Sequence, residues 1–280
     1  MNDIEAAVAR HYGGAGLLAR ILAGLEASGV DPDHLRPGDL APVDEFHIGR
    51  REATAHAVAK LALDAGAHVL DVGCGIGGAA RYIATQVGCR VTGIDLTPEF
   101  IATARRLTEL TGLDGEIAFE VASALDMPFE DGAFDAAITL HVAMNIPERA
   151  ALYGEIARVM RPGAVLCLYD VMKTGAGEIA YPVPWAETPA TSHLTTADEM
   201  RGLLDGAGFE LREVEDRRDF ARAFFQDALA AAAASEDGPP PLGIHLILGA
   251  NAPEKFRNMQ NNIEAGHIAP IQMIATRRAA

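Results

Sequence analysis

The residues best placed to do chemistry lie close together. Asp71, Gly73, Gly75 and Gly77 alternate with Val72, Cys74 and Ile76, and Asp95 follows after a helix-length interval. Glycine has no Cβ, so it adopts positive φ and lets the backbone approach a ligand closely. A helix starting just after such glycines presents free N–H groups at its N-terminus. A carboxylate at Asp95, closing the next strand, can accept hydrogen bonds from both hydroxyls of a ribose. Acid, glycines, helix and second acid in this order describe a nucleotide site. Gly73-x-Gly75-x-x-Gly78 also satisfies the dinucleotide fingerprint, so these residues alone leave two cofactor classes open.

The elements that must hold these residues follow from periodicity. Val69, Leu70 and Val72 read as a buried strand running into the glycines, and Ala79–Gln86 as the helix after them. Arg90–Leu96, Glu116–Val121, Phe134–Leu140, Ala164–Val171, Phe209–Asp216 and Ile268–Thr276 read as further strands. The unbroken apolar core of Phe134–Leu140 suits a strand covered on both faces. Helices are expected over Pro98–Thr111, Glu148–Met160, Thr196–Gly206 (capped by Thr195 or Thr196), Phe220–Ala234, Gly243–Gly249 and Pro253–Gly266. Pro162-Gly163 marks a sharp turn before the fifth strand, and Phe209–Asp216 alternates like an edge strand. The alternation predicts an α/β fold with a doubly wound, mostly parallel seven-stranded sheet. Residues 3–28 read as two helices broken at Gly13-Gly14, residues 31–44 as irregular, and the segment after Arg50 as helical to about Asp64. The expected layout is an N-terminal helical extension (1–64) and a cofactor-binding domain (65–280). That domain carries a long Pro/Gly-rich loop at 173–193 and a helical insertion at 218–267.

Composition narrows the partners. A hydrophobic fraction of 49% supports a large core over 280 residues, and the net charge of −16 offers no basic face for nucleic acid. Cys74, Cys89 and Cys167 lack metal-ligand spacing, so neither a metal nor a disulfide framework is expected, which suits a reducing cytoplasm. No signal peptide or membrane-length apolar run is apparent, since Arg20 interrupts Leu17–Leu25. A small-molecule partner is therefore expected, with homo-oligomerisation open.

Four stretches carry a family resemblance: Asp71-Val-Gly-Cys-Gly-Ile-Gly77, Gly93-Ile-Asp-Leu96, Asp126-Met-Pro-Phe-Glu-Asp-Gly-Ala-Phe-Asp135, and Glu155-Ile-Ala-Arg-Val-Met-Arg-Pro-Gly163. Together the chain resembles the class I S-adenosyl-L-methionine (SAM)-dependent methyltransferases of the small-molecule type. The segment Phe46-His-Ile-Gly-Arg-Arg-Glu-Ala-Thr54 is similar to its counterpart in sarcosine/dimethylglycine and phosphoethanolamine methyltransferases. The resemblance implies a last strand running antiparallel, SAM as cofactor and S-adenosyl-L-homocysteine as product. It favours N or O as the methyl acceptor, with carbon methylation of an isoprenoid or other metabolite as the alternative. A dinucleotide-dependent oxidoreductase and a non-catalytic SAM-binding protein are the readings from other classes. The short-chain dehydrogenase spacing Tyr169-x-x-x-Lys173 is set aside because that pair needs a helix.

By the same resemblance Gly73, Gly75 and Gly77 approach the amino-acid and ribose parts of SAM. Asp71 orders that loop and the methionine ammonium, Asp95 holds the ribose, and Leu96 packs on the adenine. Ser123 stands where many relatives carry an adenine-binding Asp, so Ser123, Ala124 and Leu125 are expected to serve there. Phe46 and His47 match a segment that closes over SAM, and Tyr12 is a lid candidate. His141, leaving the fourth strand, is expected to contact SAM and is the candidate general base. Asn145, Tyr181, Trp185 and His193 are expected in the acceptor pocket. Arg50 is noted as able to hold a carboxylate of cofactor or substrate.

Overall fold

The computed structural model describes Glu5 and residues 16–235 and 238–279. Its centre is one sheet: β1 (His68–Val72), β2 (Arg90–Asp95), β3 (Ile117–Val121), β4 (Phe134–Leu140), β5 (Met160–Lys173), β6 (Phe209–Asp216) and β7 (Ile268–Arg277). The order is β3-β2-β1-β4-β5-β7-β6. The first five strands run parallel, and β7 is antiparallel to both β5 and β6. The expected sheet, its edge strand and its reversed last strand are all present. After β1 the chain builds β2 and β3 on one side, then returns to place β4 on the other. Ligands of such sheets bind beyond the strand C-termini at this switch point.

Helices cover both faces. On one, α5 (Arg149–Val159) and α6 (Ala197–Gly206) supply Leu152, Ile156, Met200 and Leu204 to a core with Leu70, Val72 and Phe134. On the other, α2 (Arg50–Lys60), α3 (Gly78–Val87) and α4 (Pro98–Leu110) pack Ala57, Ile83, Ile101 and Ala104 on Val69, Val91 and Ile138. Helix α2 thus shares its core with the sheet. Thr196 caps α6 in a reciprocal box with Glu199.

Over the C-terminal edge lie α1 (Leu17–Ala27), α7 (Arg218–Ala234), the short α8 (His245–Leu248) and α9 (Ala252–Glu264). The expected helix over Gly243–Gly249 is therefore a single turn, and residues 31–44 hold two 3-10 turns, Pro32–His34 and Pro37–Leu40. The first of the two expected N-terminal helices and Tyr12 lie outside the described residues. Pro162-Gly163 turns within β5 rather than before it. Phe134 pairs with Met160 and Ala136 with Val165, so residues 161–164 bulge from the ladder, with Gly163 at φ 84°. Tyr169 and Lys173 both sit on β5, where four residues span roughly 13 Å, which excludes a shared catalytic contact.

Candidate active site

At the switch point a cavity opens with about 1580 Å³ of non-atom space, its mouth included. The glycine turn forms one wall. The N–H groups of Gly73 and Cys74 both donate to Ile94 O (2.8 and 2.9 Å), which folds the turn back on β2. Gly73 has φ 74°, and a Cβ there would lie 2.4 Å from Val142, so only glycine fits. Asp95 braces the same turn: its Oδ2 accepts from Gly75 N (3.0 Å) and its Oδ1 from Thr97 N (2.8 Å). The Thr97 side chain adds a further hydrogen bond to this carboxylate, which with two lone pairs on each oxygen still has acceptor capacity, and Asp95 lines the cavity.

Asp71 is almost wholly buried, and its Oδ2 has no hydrogen-bond partner among the described residues although the residue lines the cavity. Burial, with the nearby carboxylates of Asp95 and Glu45, pushes its carboxyl up to about 7. A buried acceptor with no donor is rare in a folded protein unless a ligand or water supplies one.

The other wall is the segment Asp44–Arg50. A buried charge cluster pins it. Arg81, fully buried, donates to Asp44 Oδ2 (3.1 Å), to Ile76 O (2.8 Å) and to Thr108 Oγ1 (3.0 Å). Glu45 accepts from Arg51 and from the Thr54 hydroxyl. Phe46 thereby lies over Gly75 and meets Phe100 edge-on at 5.6 Å. His47 Nε2 lies 3.0 Å from Arg50 O; that carbonyl only accepts, so the proton is on Nε2. Burial lowers His47 to about 4, which keeps the ring neutral.

His141 leaves β4 at φ 57°, a left-handed conformation uncommon for histidine. Its backbone N–H (2.7 Å) and its Nδ1 (3.0 Å) both point at Tyr169 O. The carbonyl assigns the proton to Nδ1 and leaves a lone pair on Nε2, whose one hydrogen-bond approach among the described residues is a long one from Ile48 N at 3.5 Å. Burial first, and His47 second, lower its pKa to about 3. The next residue is fixed by Asp170, whose Oδ1 accepts from Val142 N (3.0 Å).

Of the residues expected in the site, Phe46, His47, Asp71, Gly73, Gly75, Asp95, Leu96, Ser123, Ala124, Leu125, His141, Asn145 and Trp185 line this cavity. Three others do not. Gly77 is the N-cap of α3 at φ 85°, where a Cβ would meet Phe119 and Arg81. Tyr181 packs against the hydrophobic cluster around Trp185 from outside, and His193 meets its surroundings through its backbone, donating to Met144 O and accepting from Arg149. Asn145 commits its amide to Trp185 O (2.8 Å) and Thr191 O (3.0 Å), tying the 173–193 loop down. The Ser123 hydroxyl donates to the carboxylate of Glu5, which also lines the cavity. Sequence reasoning missed Met144, Phe224 and Phe225 of α7, and Phe256 and Met259 of α9. The adjacent phenylalanines in an otherwise alanine-rich helix were the available signal.

The sheet order, the glycine turn and the two acids define a nucleotide-cofactor site of the methyltransferase type. A methyltransferase-domain family matches residues 70–168. An O-methyltransferase of Pyrenophora dematioidea is 31% identical over 209 residues, covering 74% of this chain and 76% of that one. A 2-methyl-6-phytyl-1,4-hydroquinone methyltransferase of Synechocystis is 36% identical over 179 residues, covering 62% and 52%. Among solved structures, geranyl diphosphate C-methyltransferase from Streptomyces coelicolor superposes with a TM-score of 0.71 at 18% identity, covering 99% and 98%. The chain belongs to the class I SAM-dependent methyltransferases, and SAM is its cofactor. The partnerless Asp71 oxygen, the cradle at Gly73 and the open lone pairs of Asp95 fit that group. Among the described residues no helix is long and apolar enough to cross a membrane, and no cluster of His, Cys, Asp or Glu is placed to hold a metal ion.

Proposed function

We propose that the enzyme methylates a hydroxyl oxygen on a bulky apolar acceptor, aromatic or polycyclic. The observation that carries this reading is the far wall of the cavity, made of Ile48, Met144, Trp185, Phe224, Phe225, Phe256 and Met259, with the lone pair of His141 Nε2 as a hydrogen-bond acceptor nearby. A small charged amine held against those seven side chains, none of which is a carboxylate, would lose its hydration without compensation from them. The O-methyltransferase names among the relatives support oxygen as the acceptor atom, and the phytyl hydroquinone in another relative's name supports a bulky apolar aromatic acceptor.

When bound, SAM supplies a methyl group on a cationic sulfur that departs as a neutral thioether. The protein's task is then mostly placement. Asp71 and Gly73–Gly75 take the amino-acid end, Asp95 the ribose hydroxyls, and Leu96, Ser123, Ala124 and Leu125 the adenine. Phe46 covers the cofactor, and His47 holds the turn that carries it. His141 Nε2 accepts the acceptor's hydroxyl hydrogen and turns the oxygen toward the methyl. Its low pKa makes it a positioning acceptor, and the proton passes on to solvent. Trp185, held by Asn145, walls the acceptor. A carbon acceptor is the second reading, favoured by the faces of Phe224, Phe225 and Phe256, which could stabilise a developing cation.

The test is transfer of labelled methyl from SAM to matched naphthols, hydroquinones, naphthylmethylamines and prenyl alcohols, with the product bond assigned by mass spectrometry. O-methyl ethers of the phenols are expected. Turnover of the amines alone, or methyl appearing only on carbon, would discard this reading.

A further inference from the structure

The cavity is acidic. Glu5, Asp44, Glu45, Asp71, Asp95 and Glu148 line it, and Arg50 is the one Lys or Arg among the described lining residues. His47 and His141 stay neutral there. Nearby arginines are matched with acids: Arg51 with Glu45, Arg81 with Asp44, and Arg149 faces Asp170 at 3.9 Å. Arg50 is not. Its guanidinium makes no hydrogen bond or ion pair with any described residue; its one close feature is the Phe224 ring, 5.9 Å from Cζ to centroid. Burial lowers its pKa with no carboxylate opposing the shift. A half-buried guanidinium without an acid beside it gains a charge-assisted hydrogen bond when an anion arrives.

The backbone holds it in place. Arg50 sits at φ 46°, after Gly49 at φ 86°. His47 clamps it twice, donating from Nε2 to Arg50 O (3.0 Å) and accepting from Arg50 N (3.1 Å). A Cβ on Gly49 would meet the Phe220 ring at 2.2 Å, so the turn is pressed under α7. Strain of this kind persists where surrounding structure over-determines it.

Position identifies the anion's owner. A second groove runs between α1, α7 and the 238–256 segment, and Arg50, Phe224, Ile244 and Phe256 line both it and the cavity. Asp71, Gly73, Gly75 and Asp95 line only the cavity. Arg50 therefore stands at the acceptor end, where the cavity opens into the groove.

We propose that Arg50 binds an oxyanion on the methyl acceptor, a carboxylate or phosphate remote from the reacting atom, and so selects anionic over neutral acceptors. This rests on the apolar-acceptor reading above and adds a charged handle to it.

The test uses protein saturated with S-adenosylhomocysteine and calorimetric titration of 6-hydroxy-2-naphthoate against its neutral methyl ester. The wild type is expected to prefer the carboxylate by about tenfold or more, as for a charged hydrogen bond. Arg50→Met should erase that preference while ester and S-adenosylhomocysteine affinities hold. Arg50→Lys should keep part of it, charge without the planar fork. No preference in the wild type, a preference surviving Arg50→Met, or equal loss of both probes would overturn the proposal. So would a loss of S-adenosylhomocysteine affinity with 5′-methylthioadenosine affinity unchanged, which would place the guanidinium on the cofactor's carboxylate. The readout is binding, so failure to methylate oxygen in the earlier test leaves it interpretable.

Discussion

Replacing Asp71 with asparagine separates what the cofactor site costs the fold from what it gives the ligand. Burial and the carboxylates of Asp95 and Glu45 move this carboxyl from an ordinary 3.8 to about 7, with one backbone hydrogen bond from Ala80 working against them. The folded protein therefore holds the proton more tightly than the unfolded chain. Below pH 4 both states are protonated and nothing is lost. Between pH 4 and 7 the unfolded chain ionises while the folded one does not, so stability falls with rising pH; above 7 the loss is constant. At 1.36 kcal/mol per pH unit, the span amounts to roughly 4 kcal/mol. The substituted side chain cannot ionise, and its amide oxygen can still accept from Ala80. Urea denaturation of the cofactor-free Asp71→Asn protein should show it near wild-type stability at pH 4.5 and about 2–4 kcal/mol more stable at pH 8. Its S-adenosylhomocysteine affinity at pH 8 should fall about tenfold or more, the worth of a charged hydrogen bond. A stability difference that ignores pH, or has the opposite sign at pH 8, refutes the reasoning. Intact affinity removes Asp71 from the cofactor.

Asp95→Ala should weaken S-adenosylhomocysteine binding by about 1.5–3 kcal/mol in calorimetry, since it removes a half-buried carboxylate acceptor and frees the Gly75 N–H; unchanged affinity would take Asp95 out of the site. Because His141 titrates near 3, the wild-type pH profile of kcat, taken at saturating SAM so that Asp71 ionisation does not enter through cofactor binding, should show no limb near 6.5 and should rise with ionisation of the acceptor hydroxyl. His141→Gln should lower the rate without moving that limb; a limb at 6–7 that vanishes in the variant would restore His141 as a general base.

The cofactor end was legible because its signals are local. Alternating glycines after a short apolar strand force a turn, and Asp95 must then lie beside it because β2 pairs with β1 in register, Asp71 opposite Gly93. The strands were legible because β1, β2, β4 and the end of β5 are buried apolar runs inside the sheet, while β3 and β6 alternate at its edges. The turn at Pro162-Gly163 was visible, but its place inside β5 was not, since a bulge depends on the partner strand. Tyr181 and His193 were chosen by residue type. Nothing local to them indicates that His193 turns its backbone to Met144 and Arg149, or that the amide of Asn145 holds the loop.

The acceptor end was hidden for a different reason. Its proposed wall joins Ile48 before α2, Met144 after β4, Trp185 of the 173–193 loop, Phe225 of α7 and Met259 of α9. In isolation each is an ordinary apolar residue on an amphipathic element, and Phe225, Met259 and Ile263 even form a buried cluster of their own with Trp185. Only the sheet's switch point gathers them over His141. The same arrangement separates the two jobs of the site. The residues proposed to take the cofactor are held by backbone hydrogen bonds and a buried Arg81–Asp44 pair, so they tolerate little change. Of the residues proposed to face the acceptor, Trp185 is also held by hydrogen bonds to Ser192 and Asn145, whereas Phe224, Phe225, Phe256 and Met259 are held by side-chain packing and can be exchanged for other apolar side chains at modest cost. Arg50 is the exception among them: a charge in an apolar wall, rooted in a strained and clamped turn. Acceptor choice in this enzyme should therefore respond most to that one side chain, and only gradually to the phenylalanines around it.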